Sequence, residues 1–299
     1  MSYRLIILVV FSFAAGLLTC AQSFTLTVKN SSLTVDAAAG GRIVSLKFDG
    51  QEILCSSRIH PHFYGSSLWL SPENKWKGMG PLDAAPYTVQ QSGQTVLRVK
   101  SPDDSIRGFS FTKEIRVNEA DTSFLIHYTI RNIAAVSQEV APWEVTRVPT
   151  GGLAFFPGGD QPALTKSDLP VRDNLGIVWY PYDSVSKVHQ KLFQHGAEGW
   201  TTYVKDGIVF IKVYPVISPG TAAPGEENVE MYANPEKTYI ELENQGAYLT
   251  LPPNSSLQYE VKWMARRLPA AVSLSMGQAG LVTGDQVLIN WVRSILNKR

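Results

Sequence analysis

The sequence predicts an all-β protein, a large antiparallel β-sandwich carrying a short C-terminal helix. Three observations carry this. Short strand-like runs separated by turn residues recur from Phe24 to Trp263. Asp-Gly pairs sit between such runs, where a two-residue hairpin turn needs them. No helix-length amphipathic pattern separates the runs, which argues against βαβ units.

Taken in order, the chain opens on a charged residue, Arg4, an apolar stretch from Leu5 to Leu18 and the small-residue site Thr19-Cys20-Ala21. That pattern reads as an export signal over residues 1–22, giving a periplasmic or secreted protein. Leu17-Leu18-Thr19-Cys20 also resembles a lipobox, so a lipid anchor at Cys20 is the alternative, although Thr19 stands where such boxes carry Gly, Ala or Ser. No later run has the ~18 consecutive apolar residues of a transmembrane helix.

The first hairpin runs from Arg42 to Phe48 and turns at Asp49-Gly50. Phe109 to Val117 pairs with Ser123 to Ile133, and Trp200 to Val204 pairs with Ile208 to Val213 across Asp206-Gly207. Ala247 to Leu251 is expected to pair with Leu257 to Trp263 across Pro252-Pro253-Asn254. Three stretches rich in Pro, Gly and small polar residues, 71–86, 157–173 and 218–228, read as long loops of the kind that carry binding sites. Gly284-Asp285 signals a helix start, and Val287, Leu288, Trp291, Ile295 and Leu296 form its apolar stripe. This divides the chain into a signal (1–22), a sandwich domain (23–267) and a C-terminal extension with the helix (268–299).

Charge and cysteine content narrow the function classes. Losing the signal removes one basic residue and no acidic one, leaving the two in balance. No basic stripe is present, so a nucleic-acid partner is not expected. Cys55 is then the single remaining cysteine, and the core must hold the fold without a disulfide. The chain has no Gly-x-Ser-x-Gly elbow, no phosphate-binding Gly-rich loop, no His-Glu-x-x-His and no Cys-x-x-Cys, so no cofactor or metal is called for.

The segment richest in chemistry is Tyr239-Ile240-Glu241-Leu242-Glu243-Asn244-Gln245. Alternation along a strand puts Ile240 and Leu242 on one face and Tyr239, Glu241 and Glu243 on the other. Glu230 and Tyr232 share one face of the run before it, and a hairpin through Asn234-Pro235-Glu236-Lys237 would bring all five onto one surface. Carboxylates accept hydroxyls in pairs and aromatic faces stack on sugar C–H groups, so this surface suits a sugar. The bland alternative is the wet face of a half-buried strand.

The hairpin from Gly40-Gly41-Arg42-Ile43 to Leu54 resembles the opening of galactose mutarotase-like proteins. Further segments follow in the order of an uncharacterised branch of that superfamily: Tyr64 to Glu73, Ala141-Pro142-Trp143-Glu144-Val145-Thr146, Gly199 to Tyr203, and Tyr239 to Gln245 with Trp263. The resemblance implies a β-supersandwich that binds carbohydrate. It also implies an aldose 1-epimerase-type isomerase, in which a glutamate takes the anomeric proton and a histidine protonates the ring oxygen. Glu243 looks like that glutamate, with Glu241 second; His60 and His195 are candidates for the acid, though none of the flanking residues matches the epimerase histidine motifs well. The class alternative is a non-catalytic carbohydrate-binding protein for polysaccharide uptake or cell-envelope work.

On the residues themselves, Trp69, Glu73, Trp143, Glu144, His62 and Tyr239 are candidate ligand contacts, with tryptophans as stacking platforms. Arg147 is expected to share the face of Glu144 and to compete for it as a plain ion pair. Paired carboxylates also raise glycoside hydrolysis, because same-face neighbours lie roughly 6.5–7 Å apart. Adjacent residues on one strand do not flank a substrate, so hydrolysis ranks below epimerisation.

Overall fold

The computed structural model describes residues 23–76, 78–160, 164–166, 172–174, 176–180, 190–272, 275–276, 282–283 and 286–297. The export signal, Cys20 and the expected helix-start pair Gly284-Asp285 lie outside these residues, as does part of the 157–173 stretch. Two large antiparallel sheets face each other across one apolar core, the all-β architecture expected. The first, called here the site sheet, runs in the order Ser23–Val28, Ser31–Asp36, Arg42–Phe48, Ser66–Ser71, Gln138–Pro149, Tyr239–Gln245, Val229–Ala233, Gln190–Gln194 and Leu164–Lys166. The back sheet centres on Trp200–Lys205, Ile208–Val213, Ser256–Arg267, Ser123–Asn132 and Phe109–Asn118.

Alternation fixes which residues fill the gap between the sheets. Ile240 and Leu242 belong to the same buried apolar cluster as Trp263, Tyr128, Phe210 and Phe111 from the back sheet. The Asp-Gly hairpins form as expected: Asp49 and Gly50 take φ of 49° and 79°, Asp206 and Gly207 take 48° and 72°, the left-handed conformations this turn requires. Phe109–Asn118 and Ser123–Asn132 also pair in full register.

One hairpin does not form. Leu249–Leu251 lies against Gln138–Val140 of the site sheet, whereas Ser256–Arg267 joins the back sheet between Ile208–Val213 and Ser123–Asn132. The Pro252-Pro253-Asn254 turn therefore carries the chain from one sheet to the other. The 71–86 stretch contains two one-turn helices, Glu73–Trp76 and Pro81–Ala84, which bury Trp76 and Leu82 beneath the loop.

The C-terminal helix spans Gln286–Leu296. Its Leu288, Ile289 and Val292 cover a second apolar cluster on the outer face of the back sheet, with Phe155, Trp179, Trp200, Ile211 and Met264. Among the described residues no helix is long and apolar enough to cross a membrane.

The Gly40-Gly41-Arg42 motif has a structural role with consequences for the site. Gly40 and Gly41 take φ of 67° and 55°, and a Cβ on Gly40 would lie 2.1 Å from the Asp83 carbonyl oxygen. The fully buried Lys113 donates to the carbonyls of both glycines at 2.8 and 3.1 Å. Arg42 then reaches across to the His62 carbonyl at 2.9 Å and to Asp83 at 3.0 Å, and so anchors the loop that carries Phe63.

A candidate binding cleft on the outer face of the site sheet

The register of five neighbouring strands sets the site out as a grid on the face away from the core. One row holds Trp69, Trp143 and Gln245; the next holds Ser67, Val145, Glu243, Glu230 and Phe193; the third holds Arg147, Glu241, Tyr232 and Lys191. Pro149 and Tyr239 begin a fourth. The expected hairpin through Asn234 to Lys237 thus places Glu230 opposite Glu243 and Tyr232 opposite Glu241. This face is far from wet: every residue from Tyr239 to Gln245 is buried.

Over this grid lies a cleft of about 350 Å³, lined by Phe63, Trp69, Glu73, Trp143, Lys191, Tyr232, Tyr239 and Glu241. That is within the range of small-ligand sites. A second hollow of about 560 Å³, lined by Glu73, Asn74, Gly78, Lys191, Phe193, Pro224, Gly225 and Glu226, shares Glu73 and Lys191 with it. The two adjoin at those residues.

Ion pairs hold the floor rigid. Arg147 Nε donates to Glu241 Oε1 at 2.8 Å, while its guanidinium carbon stands 5.0 Å from the Trp69 ring centre and 5.5 Å from that of Phe63. Lys191 meets Glu230 at 2.8 Å and Glu243 at 3.4 Å, above the Trp143 and Phe193 rings. Trp143 Nε1 donates to Glu243 Oε2 at 2.8 Å, and Trp69 packs edge-on to Trp143 at 5.3 Å. Glu226 accepts from the Ser71 hydroxyl, the Glu73 backbone N–H and Gln245 Nε2, so the 218–228 loop is tied to the start of the Glu73–Trp76 helix.

Burial pushes the Glu243 carboxyl up to about 7, with Lys191 opposing the shift and Glu241 and Glu73 adding to it. Glu230 is raised by the same desolvation. Burial together with Glu241 also raises the Tyr232 phenol to about 12 and the Tyr239 phenol further.

The two candidate glutamates are placed differently. Glu241, 8% exposed, lines the cleft, whereas Glu243, 1% exposed, lies beneath it between Trp143 and Lys191. Trp69, Glu73, Trp143 and Tyr239 are all brought to the cleft wall. The histidines are not. His60 stands edge-on to Tyr239 at 5.3 Å with its Nδ1 accepting the Phe63 backbone N–H at 2.9 Å. His62 offers its carbonyl to Arg42. His195 follows the Gln190–Gln194 strand by one residue and packs against Gly159, whose N–H donates to its carbonyl at 2.8 Å.

Glu144 is a correction. It is completely buried on the opposite face, between the sheets, where Lys212 pairs with it at 2.9 Å and Tyr128 donates to it at 2.7 Å. Arg147 lies three residues on, an odd step, and therefore faces the cleft and Glu241 rather than Glu144. Phe63 and Lys191, which line the cleft, and Arg147, which pairs with Glu241 beside it, have roles that were not anticipated. Counting by twos from Trp143 reaches Arg147 through Val145, and that signal would have found it.

No family model matches the chain. No curated protein matches it in sequence either. Solved structures do match in shape. The putative aldose 1-epimerase of Escherichia coli K12 superposes with a TM-score of 0.58 at 10% identity, covering 83% of this chain and 99% of that one. A galactose mutarotase-like protein from Lactobacillus casei gives 0.58 at 12%, covering 82% and 100%. A galactose mutarotase related enzyme from Lactobacillus acidophilus gives 0.57 at 11%, covering 85% and 100%. The chain therefore has the galactose mutarotase-like fold.

Proposed function

We propose that this protein is an exported carbohydrate-binding protein that holds a sugar in the Trp69–Glu241 cleft. The observation that carries the reading is the convergence, on one cleft, of the Trp69 and Trp143 indoles with the Glu241 carboxylate and the Tyr232 and Tyr239 side chains. Such a wall offers apolar faces to sugar C–H groups and acceptors and donors to hydroxyls. The rigid Arg147–Glu241 pair presents that carboxylate without further ordering. The N-terminal Arg4 to Ala21 pattern supports export.

A second reading, epimerase chemistry, is favoured by one observation: Glu243 is poised near neutrality, where a general base works best. Against it, none of the described residues lining the cleft is a histidine, and both proton transfers of ring opening, one off the anomeric hydroxyl and one onto the ring oxygen, need a group at the sugar. Binding is therefore the better supported reading, with Glu241 as the ligand contact and Glu243 as the group beneath it. Calorimetric titration with hexoses and disaccharides tests it: saturable binding lost in Trp69→Ala supports the reading, and heats indistinguishable from dilution with every sugar overturn it. Polarimetry on fresh α-glucose and α-galactose separates the two readings. Rates equal to buffer keep the protein a binder, and acceleration abolished by Glu243→Gln makes it an epimerase.

A further inference from the structure

The turn from Cys55 to Gly65 carries Phe63 to the cleft wall, and its base is fixed to the site sheet. Gly65 N–H donates to the Cys55 carbonyl at 2.8 Å, Cys55 N–H to the Arg147 carbonyl at 2.9 Å, and Arg147 N–H to the Gly65 carbonyl at 2.9 Å. At the first bend the Ser56 carbonyl accepts from the Ile59 and His60 N–H groups at 2.9 and 3.2 Å. The tip is held by a side chain instead. His60 Nδ1 accepts the Phe63 backbone N–H at 2.9 Å and the His62 backbone N–H at 3.3 Å.

A backbone N–H can only donate, so the direction of these two bonds is fixed. Their acceptor must be a bare ring nitrogen, and His60 is therefore the neutral imidazole with its proton on Nε2. A second proton would turn Nδ1 into a donor aimed at two other donors. From the Tyr239–Gln245 strand the Tyr239 phenol faces the ring edge-on and is kept neutral by burial. Beyond it stand Arg147 and Glu241, which pair with each other, and the buried Cys55 thiol, pushed up to about 11 and so uncharged. On its own turn the His62 ring centre lies 6.3 Å away and Arg58 two residues earlier. The Phe63 ring, 41% exposed, lines the cleft and stands 6.3 Å from the Tyr239 ring.

Resting on the sugar-binding reading above for its ligand, we propose that His60 is a pH-sensitive catch on the cleft wall. Neutral, it holds the Phe63 backbone and keeps the Phe63 ring against the cleft beside Arg147. Protonated, it releases the tip of the turn while the base, tied to Arg147 by backbone bonds, stays in place. Sugar affinity is therefore full near pH 8 and falls toward pH 5, the interval in which histidine side chains change charge. The wall that moves is the one over the Arg147–Glu241 pair, so release loosens the contact that presents Glu241 to the sugar.

Calorimetry with cellobiose as the probe, at pH 8 and at pH 5, reads the catch. On acidification wild type is expected to lose about fivefold more affinity than His60→Asn, whose side-chain oxygen offers an acceptor that does not titrate. Glu243, which changes charge in the same range, is present in both proteins and drops out of the comparison. His60→Ala lacks the acceptor at every pH and should bind about fivefold more weakly than wild type at pH 8, whereas His62→Asn should keep the wild-type response. Parallel pH dependence in wild type and His60→Asn overturns the catch. A second arm needs no sugar: in nitrogen-15-labelled wild type the Phe63 amide resonance should shift with the same midpoint as the His60 ring. A Phe63 amide that stays fixed while the His60 ring titrates overturns the catch. No heat with cellobiose, together with a Phe63 amide that follows His60, counts against the sugar reading and leaves the catch standing.

Discussion

Replacing Glu243 by Gln gives the sharpest test of how the floor of the cleft is held. The Glu243 carboxyl is raised from an ordinary 4.5 to about 7, first by burial, against the pull of Lys191. The folded protein thus holds this proton over a pH range in which the unfolded chain has released it. The stability it contributes is fully present below about pH 4.5 and is lost as pH rises through about 7. At 1.36 kcal/mol per pH unit, that loss amounts to about 3 kcal/mol for a group this deeply buried. Gln keeps the shape, accepts from Trp143 with its oxygen and does not titrate. Urea denaturation at half-unit steps from pH 4.5 to 8 should show wild type losing about 3 kcal/mol relative to Glu243→Gln. Parallel pH profiles for the two proteins would refute a neutral-range carboxyl at this position.

Trp69→Ala should weaken sugar binding by about tenfold or more, read by calorimetry, because it removes a stacking face worth on the order of 1 kcal/mol beyond its area. Lys212→Met leaves the Glu144 carboxylate buried with only Tyr128 and Trp263 as donors, so urea denaturation should show a loss of about 3–5 kcal/mol. Adding Glu144→Gln to it should recover part of that loss, and a double variant no more stable than the single one would count against the pair. Gly40→Ala forces a Cβ against the Asp83 carbonyl oxygen at a left-handed backbone position, and should lower Tm by roughly 5 °C or more, measured by circular dichroism.

The hairpins at Asp49-Gly50 and Asp206-Gly207 were legible because the turn itself demands those residues, and the partner strands follow within a few positions. The Leu249–Leu251 strand was not. Alternation says which side chains share a face but is silent on which neighbour a strand joins, and its true partner, Gln138–Val140, lies over a hundred residues earlier. The Tyr239–Gln245 face was legible from alternation with acidic and aromatic residues. Glu144 was misplaced because its strand, Gln138–Pro149, is buried on both faces over most of its length, leaving no polar periodicity to reveal which way it points. Lys191 escaped notice because its importance comes from Glu230 and Glu243 across two strand pairings, a relation that sequence distance hides.

The most direct measurement is a crystal structure with a saturating disaccharide such as cellobiose. The account predicts a sugar ring against Trp69 and Trp143 with a hydroxyl within about 3.2 Å of a Glu241 carboxylate oxygen. A sugar seated elsewhere, such as the hollow between the Trp200–Lys205 strand and the C-terminal helix, with the Trp69–Glu241 cleft empty, would contradict it.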